Sequence, residues 1–72
     1  MKKIKKIKIR VNGKVKSIPK DYKVSDLVKN LKIPIKKVAI ELNQEIIDKK
    51  KINKIYVKNN DKIEIVHFIG GG

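Results

Sequence analysis

Residues 62–72 read Lys62-Ile63-Glu64-Ile65-Val66-His67-Phe68-Ile69-Gly70-Gly71-Gly72, a strand pattern that runs without a linker into three glycines. Alternation puts Ile63 and Ile65 on one face and Glu64, Val66 and Phe68 on the other. The glycines serve no fold, since glycine loses the most conformational freedom on ordering and has no side chain to pack. At an average usage of about 7%, three glycines at one chosen place arise by chance in roughly 0.03% of chains. Frayed ends without a role are common. Here the run follows directly on a strand, which makes it something held out from a body.

The 72 residues suffice for one domain near the lower size limit for independent folding. Isoleucine and valine dominate the apolar set, a bias toward β structure. Without cysteine there is no disulfide framework, thiolate zinc site or cysteine nucleophile. No apolar run reaches the length of a signal-peptide core or a membrane span, so a reducing, intracellular setting is expected. The formal charge of +13 favours acidic partners, nucleic acid among them. That excess is nearly all lysine, with Arg10 the single arginine, and it is spread along the chain. Nucleic-acid sites lean on arginine forks and aromatic stacking as well.

Working back toward the start, Asn59-Asn60-Asp61 has turn chemistry and launches the last strand. Ile55-Tyr56-Val57 reads as a short strand or a turn under the sheet, after a lysine-rich connection from Asp48 to Asn53. Val38-Ala39-Ile40-Glu41-Leu42 alternates little, as a central strand does, and Glu45-Ile46-Ile47 is short enough for an edge. Val24, Leu27, Val28 and Leu31 follow the spacing of one helix face. Ser25 or Asp21 can cap that helix, Asp26 suits its first turn, and Pro34 stops it near Lys32. Ile7-Lys8-Ile9-Arg10-Val11 alternates into Asn12-Gly13, a strong hairpin signal, and Ile18-Pro19 ends the returning strand. A two-residue turn would put Lys14 opposite Val11 on the core face. A three-residue connection pairing Val11 with Val15 keeps that face apolar and is therefore expected, with Lys6, Lys8, Arg10 and Lys16 facing solvent.

The order β-β-α-β-β-β gives an α+β chain, a mixed sheet of about four to five strands crossed by one helix. It is the ubiquitin-like β-grasp arrangement, in which the last strand lies centrally, parallel to the first, and its end projects. Residues 1–69 are then one domain and 70–72 a flexible glycine tail, about 10 Å of reach when extended.

On these residues the chain resembles the sulfur carrier proteins of thiamine biosynthesis, the ThiS family. The resemblance is most specific over Ile63 to Gly72, with Asn43-Gln44-Glu45-Ile46-Ile47 similar to a second family segment and Val24 to Leu31 in the place of the family's helix. It implies that a ThiF-like adenylyltransferase, using ATP and magnesium, adenylates the carboxylate of Gly72. Sulfur from a donor such as a cysteine desulfurase then replaces AMP to leave a thiocarboxylate, and thiazole synthase takes that sulfur. The ionised carboxylate, with a pKa near 3.5, is a poor electrophile until adenylation supplies a leaving group. Gly70 and Gly71, lacking Cβ, let the terminus thread a narrow channel. Such a chain is a protein substrate and carrier, not an enzyme, with no cofactor of its own. A cytoplasmic monomer without membrane contact is expected.

Val66 and Phe68, on the face the helix does not need, form an exposed apolar pair beside the tail and a candidate docking patch for the partner enzymes. His67, the only histidine, has no neighbouring carboxylate or second ligand and reads as packing or surface. Glu41, Glu45 and Asp48 have no metal-ligand spacing, and no phosphate-binding glycine loop exists. The terminal Gly-Gly is shared with carriers for molybdopterin synthesis and tRNA thiolation, which stand as the alternative within the class. The alternative outside it is a small basic β-grasp RNA-binding module.

Overall fold

The final strand became the axis of a five-stranded sheet in the computed structural model, which describes residues 5–68. In chain order the elements are β1 (Lys6–Val11), β2 (Lys14–Pro19), α1 (Val24–Asn30), a short 3-10 turn (Ile35–Lys37), β3 (Val38–Leu42), β4 (Glu45–Ile46), a second 3-10 turn (Lys49–Lys54) and β5 (Lys62–His67). The sheet order is β2-β1-β5-β3-β4. β5 is central, parallel to β1 and antiparallel to β3, and β4 is the short edge, all as the element order implies. No helix among the described residues is long and apolar enough to cross a membrane.

α1 covers one face of the sheet. Val24, Leu27 and Val28 are its buried residues, and they complete a core with Ile9, Ile18, Val38, Ile40, Val57, Ile63 and Ile65. The expected caps are replaced by another arrangement. Neither Ser25 nor Asp21 caps the helix. Lys23 is the N-cap residue, and the Asp26 carboxylate accepts a hydrogen bond from its backbone N–H at 2.9 Å. At the other end Lys32 takes a left-handed conformation, φ 56°, ahead of Pro34. The Lys32 N–H donates to the Lys29 carbonyl and the Ile33 N–H to the Val28 carbonyl, the paired bonds of a Schellman ending.

The hairpin corrects the expected register. Asn12 and Gly13 both have positive φ, 50° and 82°, and Val11 pairs with Lys14 through a two-residue turn. Positive φ at both turn residues matches the right-handed twist of the strands, and that preference prevails over a continuous apolar face. Ile9 therefore sits opposite Lys16 and Ile7 opposite Ile18, which turns Lys16 to the helix side, half-buried, and Val15 outward at 61% exposure. The arrangement is tolerable because α1, with 7 residues, is only about 10 Å long. It seals Ile9 and Ile18, while Val11 is only half-buried and Lys14 exposed at the hairpin tip.

Ile55 to Val57 forms neither a full strand nor a free turn. Tyr56 makes a single antiparallel bridge with Lys23, the Val24 N–H donates to the Ile55 carbonyl, and Val57 is buried. This segment fastens the start of α1 over the core. The lysine-rich connection before it is the second 3-10 turn, begun by Asp48, whose carboxylate accepts from the Lys50 N–H.

A domain of 72 residues carries about 4–11 kcal/mol of stability. Leu27→Ala, at a fully buried position, is expected to remove about 2–5 kcal/mol of it. Lys32→Gly relieves about 1–2 kcal/mol of left-handed strain against about 0.4–1 kcal/mol of added unfolded-chain entropy, so it should be neutral to slightly stabilising. Urea midpoints at constant slope check both.

Candidate functional site

The site lies at the end of β5 and on the sheet face that α1 leaves uncovered. β5 reaches it under close control. Ile63 and Ile65 point into the core at 1% and 8% exposure, which fixes the register of the strand. Val66, one residue on, therefore faces outward at 51% exposure, and Phe68 follows at 52%. Val66 lies opposite Ala39 of β3, and Ile46 of β4, opposite Glu41, adds a third apolar side chain to this face at 75% exposure. The structure thus exposes both Val66 and Phe68 and puts Ile46, which sequence reading placed only on an edge strand, on the face of Val66. Gly70, Gly71 and Gly72 lie outside the described residues.

Apart from Val15 and Ser17 of β2 and Ala39 of β3, the rest of the open face is mostly charged. Lys6, Lys8 and Arg10 stand on β1, and Lys62 is the partner of Arg10 across the parallel pair. Glu41 and Glu64 face each other directly across β3 and β5. Like charges so placed destabilise a sheet slightly. They separate a basic half over β1 from the apolar end at Val66. A concavity of about 350 Å³ beside them is lined by Arg10, Gly13, Lys62, Ile63 and Glu64. Among the described residues no group of three or more His, Cys, Asp or Glu side chains could hold a metal ion, and His67 is exposed.

Two turn asparagines brace β5 from opposite sides. The Asn43 N–H donates to the Lys62 carbonyl at 2.8 Å, and its Oδ1 accepts from the Lys62 N–H at 2.9 Å. On the β1 side the Asn12 N–H donates to the Ile63 carbonyl at 2.9 Å. Its Oδ1 accepts from the Ile65 N–H at 2.7 Å and its Nδ2 donates to the Ile65 carbonyl at 3.3 Å. Asn12 thus extends the β1–β5 ladder beyond the last paired residue of β1. The sequence marks both residues as turn formers, but nothing local in it shows that their amides reach a strand 19 to 53 positions away.

On the β3 side the Phe68 N–H donates to the Lys37 carbonyl at 2.9 Å, carrying the ladder one residue past β5. The ring of Phe68 lies beneath the Lys49 ammonium, 5.3 Å from its centroid. Lys49 is one of four lysines in the second 3-10 turn, and no sequence signal distinguishes it.

Comparison with known proteins places this geometry in a family. The model of the ThiS family matches residues 9–72. The sulfur carrier protein ThiS of Bacillus subtilis is 38% identical over 65 residues, 89% of this chain and 98% of that protein. A thiazole synthase of Paramagnetospirillum magneticum is 38% identical over 66 residues, 92% of this chain, and the chain spans only 20% of that protein. The crystal structure of a thiamine biosynthesis protein (ThiS) from Geobacter metallireducens superposes with a TM-score of 0.81 at 30% identity, covering 92% of this chain and 100% of that one.

The amide clamp is testable without any partner. Asn12→Gly keeps the positive φ and removes both side-chain bonds to Ile65. It should lower stability by about 1 kcal/mol and speed exchange of the Ile65 amide about tenfold. Unchanged Ile65 protection would mean that the clamp contributes nothing.

Proposed function

The chain belongs to the ThiS family, and from that premise we propose that it is a sulfur carrier for thiazole formation in thiamine biosynthesis. The observation that carries this reading is the near end-to-end likeness to a sulfur carrier of almost the same length, with the family match running through Gly72. The architecture is consistent with it. A strand paired on both sides is the firmest anchor the sheet can give a terminus, and Val66 and Phe68 near its end are exposed apolar side chains.

In this reading the chain is a substrate of other enzymes. The Gly72 carboxylate attacks the α-phosphorus of ATP in a ThiF-like adenylyltransferase, forming the acyl-adenylate and releasing pyrophosphate. ATP with magnesium belongs to that enzyme, and no cofactor is assigned to the carrier. The terminal sulfur of a persulfide on a donor such as a cysteine desulfurase then adds to the acyl carbon, and AMP leaves with its electron pair. A thiol reduces the S–S bond of the resulting acyl disulfide, so that the thiocarboxylate is released and the thiol is oxidised to a disulfide. Each step needs the partner to enclose the last residues closely, which glycines without Cβ permit. The likeness of a thiazole synthase segment to nearly the whole chain supports such a synthase as the sulfur acceptor. Val66 and Phe68, with Ile46, are the surface on which these partners dock.

Intact mass spectrometry after incubation with the cognate adenylyltransferase, ATP and a sulfur source tests the reading. Replacing one oxygen of the ionised carboxylate by sulfur adds about 16 Da. Deleting Gly72 should abolish the gain. No gain with an active cognate enzyme, or the same gain after the deletion, contradicts the tail-centred chemistry. Val66→Asp with Phe68→Asp should leave the fold intact and raise the KM for the carrier at least about tenfold, the loss of roughly 1.4 kcal/mol of docking.

A further inference from the structure

The end of β5 is held by a side chain that the sulfur chemistry itself does not call for. Lys49 opens the second 3-10 turn and is half-buried, whereas Lys50, Lys51 and Lys54 of the same turn are exposed. Its Nζ donates to the Ile35 carbonyl at 3.1 Å and to the Val38 carbonyl at 2.9 Å. The same atom lies 5.3 Å from the centroid of the Phe68 ring, within the range of a cation–π contact. An ammonium has three N–H donors and no acceptor. Two of them are committed to carbonyls, and the ring shields the charge from another side. Ordering a lysine costs side-chain entropy that a solvated lysine avoids. Three concurrent contacts offset that cost, two of them to the segment leading into β3 and one to Phe68 just past β5.

The connections are specific. Ile35 and Val38 belong to the segment leading into β3, and the carbonyl of Lys37 between them accepts from the Phe68 N–H. Phe68 is therefore held twice, by its backbone through Lys37 and by its ring through Lys49. We propose that Lys49 is a positioning residue for the carrier's docking surface: its ammonium fixes the ring of Phe68, the residue that the partner enzymes meet beside Val66. The inference rests on the carrier function proposed above. A docking side chain that is already ordered loses less freedom on binding. The benefit falls on recognition of the carrier, not on the chemical step.

The test uses the full chain with Lys49→Met, Lys49→Gln and Lys49→Arg. Met removes charge and donors, Gln keeps a donor for the carbonyls without the charge, and Arg keeps a cation. Urea unfolding identifies which variants fold, and Gln stands in should Met fail to fold. In folded Met and Gln variants the Phe68 amide should exchange about tenfold faster than in the parent. The KM for the carrier in adenylation should rise about tenfold while kcat stays within about twofold. Lys49→Arg should recover most of both. Unchanged KM and Phe68 exchange in a folded variant overturn the proposal. So does a KM rise that Arg does not recover and that Leu27→Ala reproduces, since general loosening would then account for it. A parent chain that an active cognate adenylyltransferase never adenylates contradicts the carrier function instead, and Phe68 exchange then decides the clamp alone.

Discussion

Pairing of β5 on both of its edges, with Ile63 and Ile65 pressed into the core, is the constraint on which the rest of the molecule depends. Burying two such side chains contributes about 1.5–3 kcal/mol each before entropy is counted, a large share for a domain of 72 residues. Their burial forces Val66 and Phe68 outward, because a strand cannot turn one side chain inward without turning its neighbours out. The core and the candidate docking face are thus two sides of one periodicity. The turn asparagines, Lys37 and Lys49 act on the same strand. They hold the backbone where strand pairing from β1 and β3 gives out.

The parts of this arrangement that are periodic were legible in the sequence. Helix spacing at Val24, Leu27 and Val28, alternation at Ile63 and Ile65, and the succession of two strands, a helix and three strands were enough for a mixed sheet with the last strand central and parallel to the first. The hairpin register was not: an unbroken apolar face favoured a three-residue connection, whereas the positive φ of Asn12 and Gly13 closes a two-residue turn and leaves Lys16 on the same face as Ile9. The helix caps were missed for a related reason. Ser25 and Asp21 are good cap residues by type, but the bridge between Lys23 and Tyr56 fixes where the helix starts, and only Asp26 is then in reach.

At the site, Val66 and Phe68 followed from alternation, whereas Asn12, Ile46 and Lys49 did not. Asn12 and Lys49 act through contacts across 53 and 11 to 19 positions of chain, distances over which local pattern carries no signal. A lysine-rich composition also conceals Lys49 among neighbours that only meet solvent. The charge of +13 has an order that the sequence does not show: on the open face, β1 and Lys62 supply a basic half, and Glu41 with Glu64 divides it from the apolar end. A partner that meets this face finds an apolar end and, beyond the two glutamates, a cationic half, so association should weaken as salt screens the cations.

In the proposed carrier role the carboxylate of Gly72 is the reactive group and the folded body its handle, a reading that family membership and a central last strand support. Appending one alanine after Gly72 leaves every described contact in place and moves the carboxylate by a single residue, about 3.5 Å. The rate of AMP release with the cognate adenylyltransferase and a sulfur source, measured side by side for the two chains, is the most direct measurement. Sulfur-dependent AMP release by the parent and its loss in the extended chain is the predicted result. Equal rates would contradict the account.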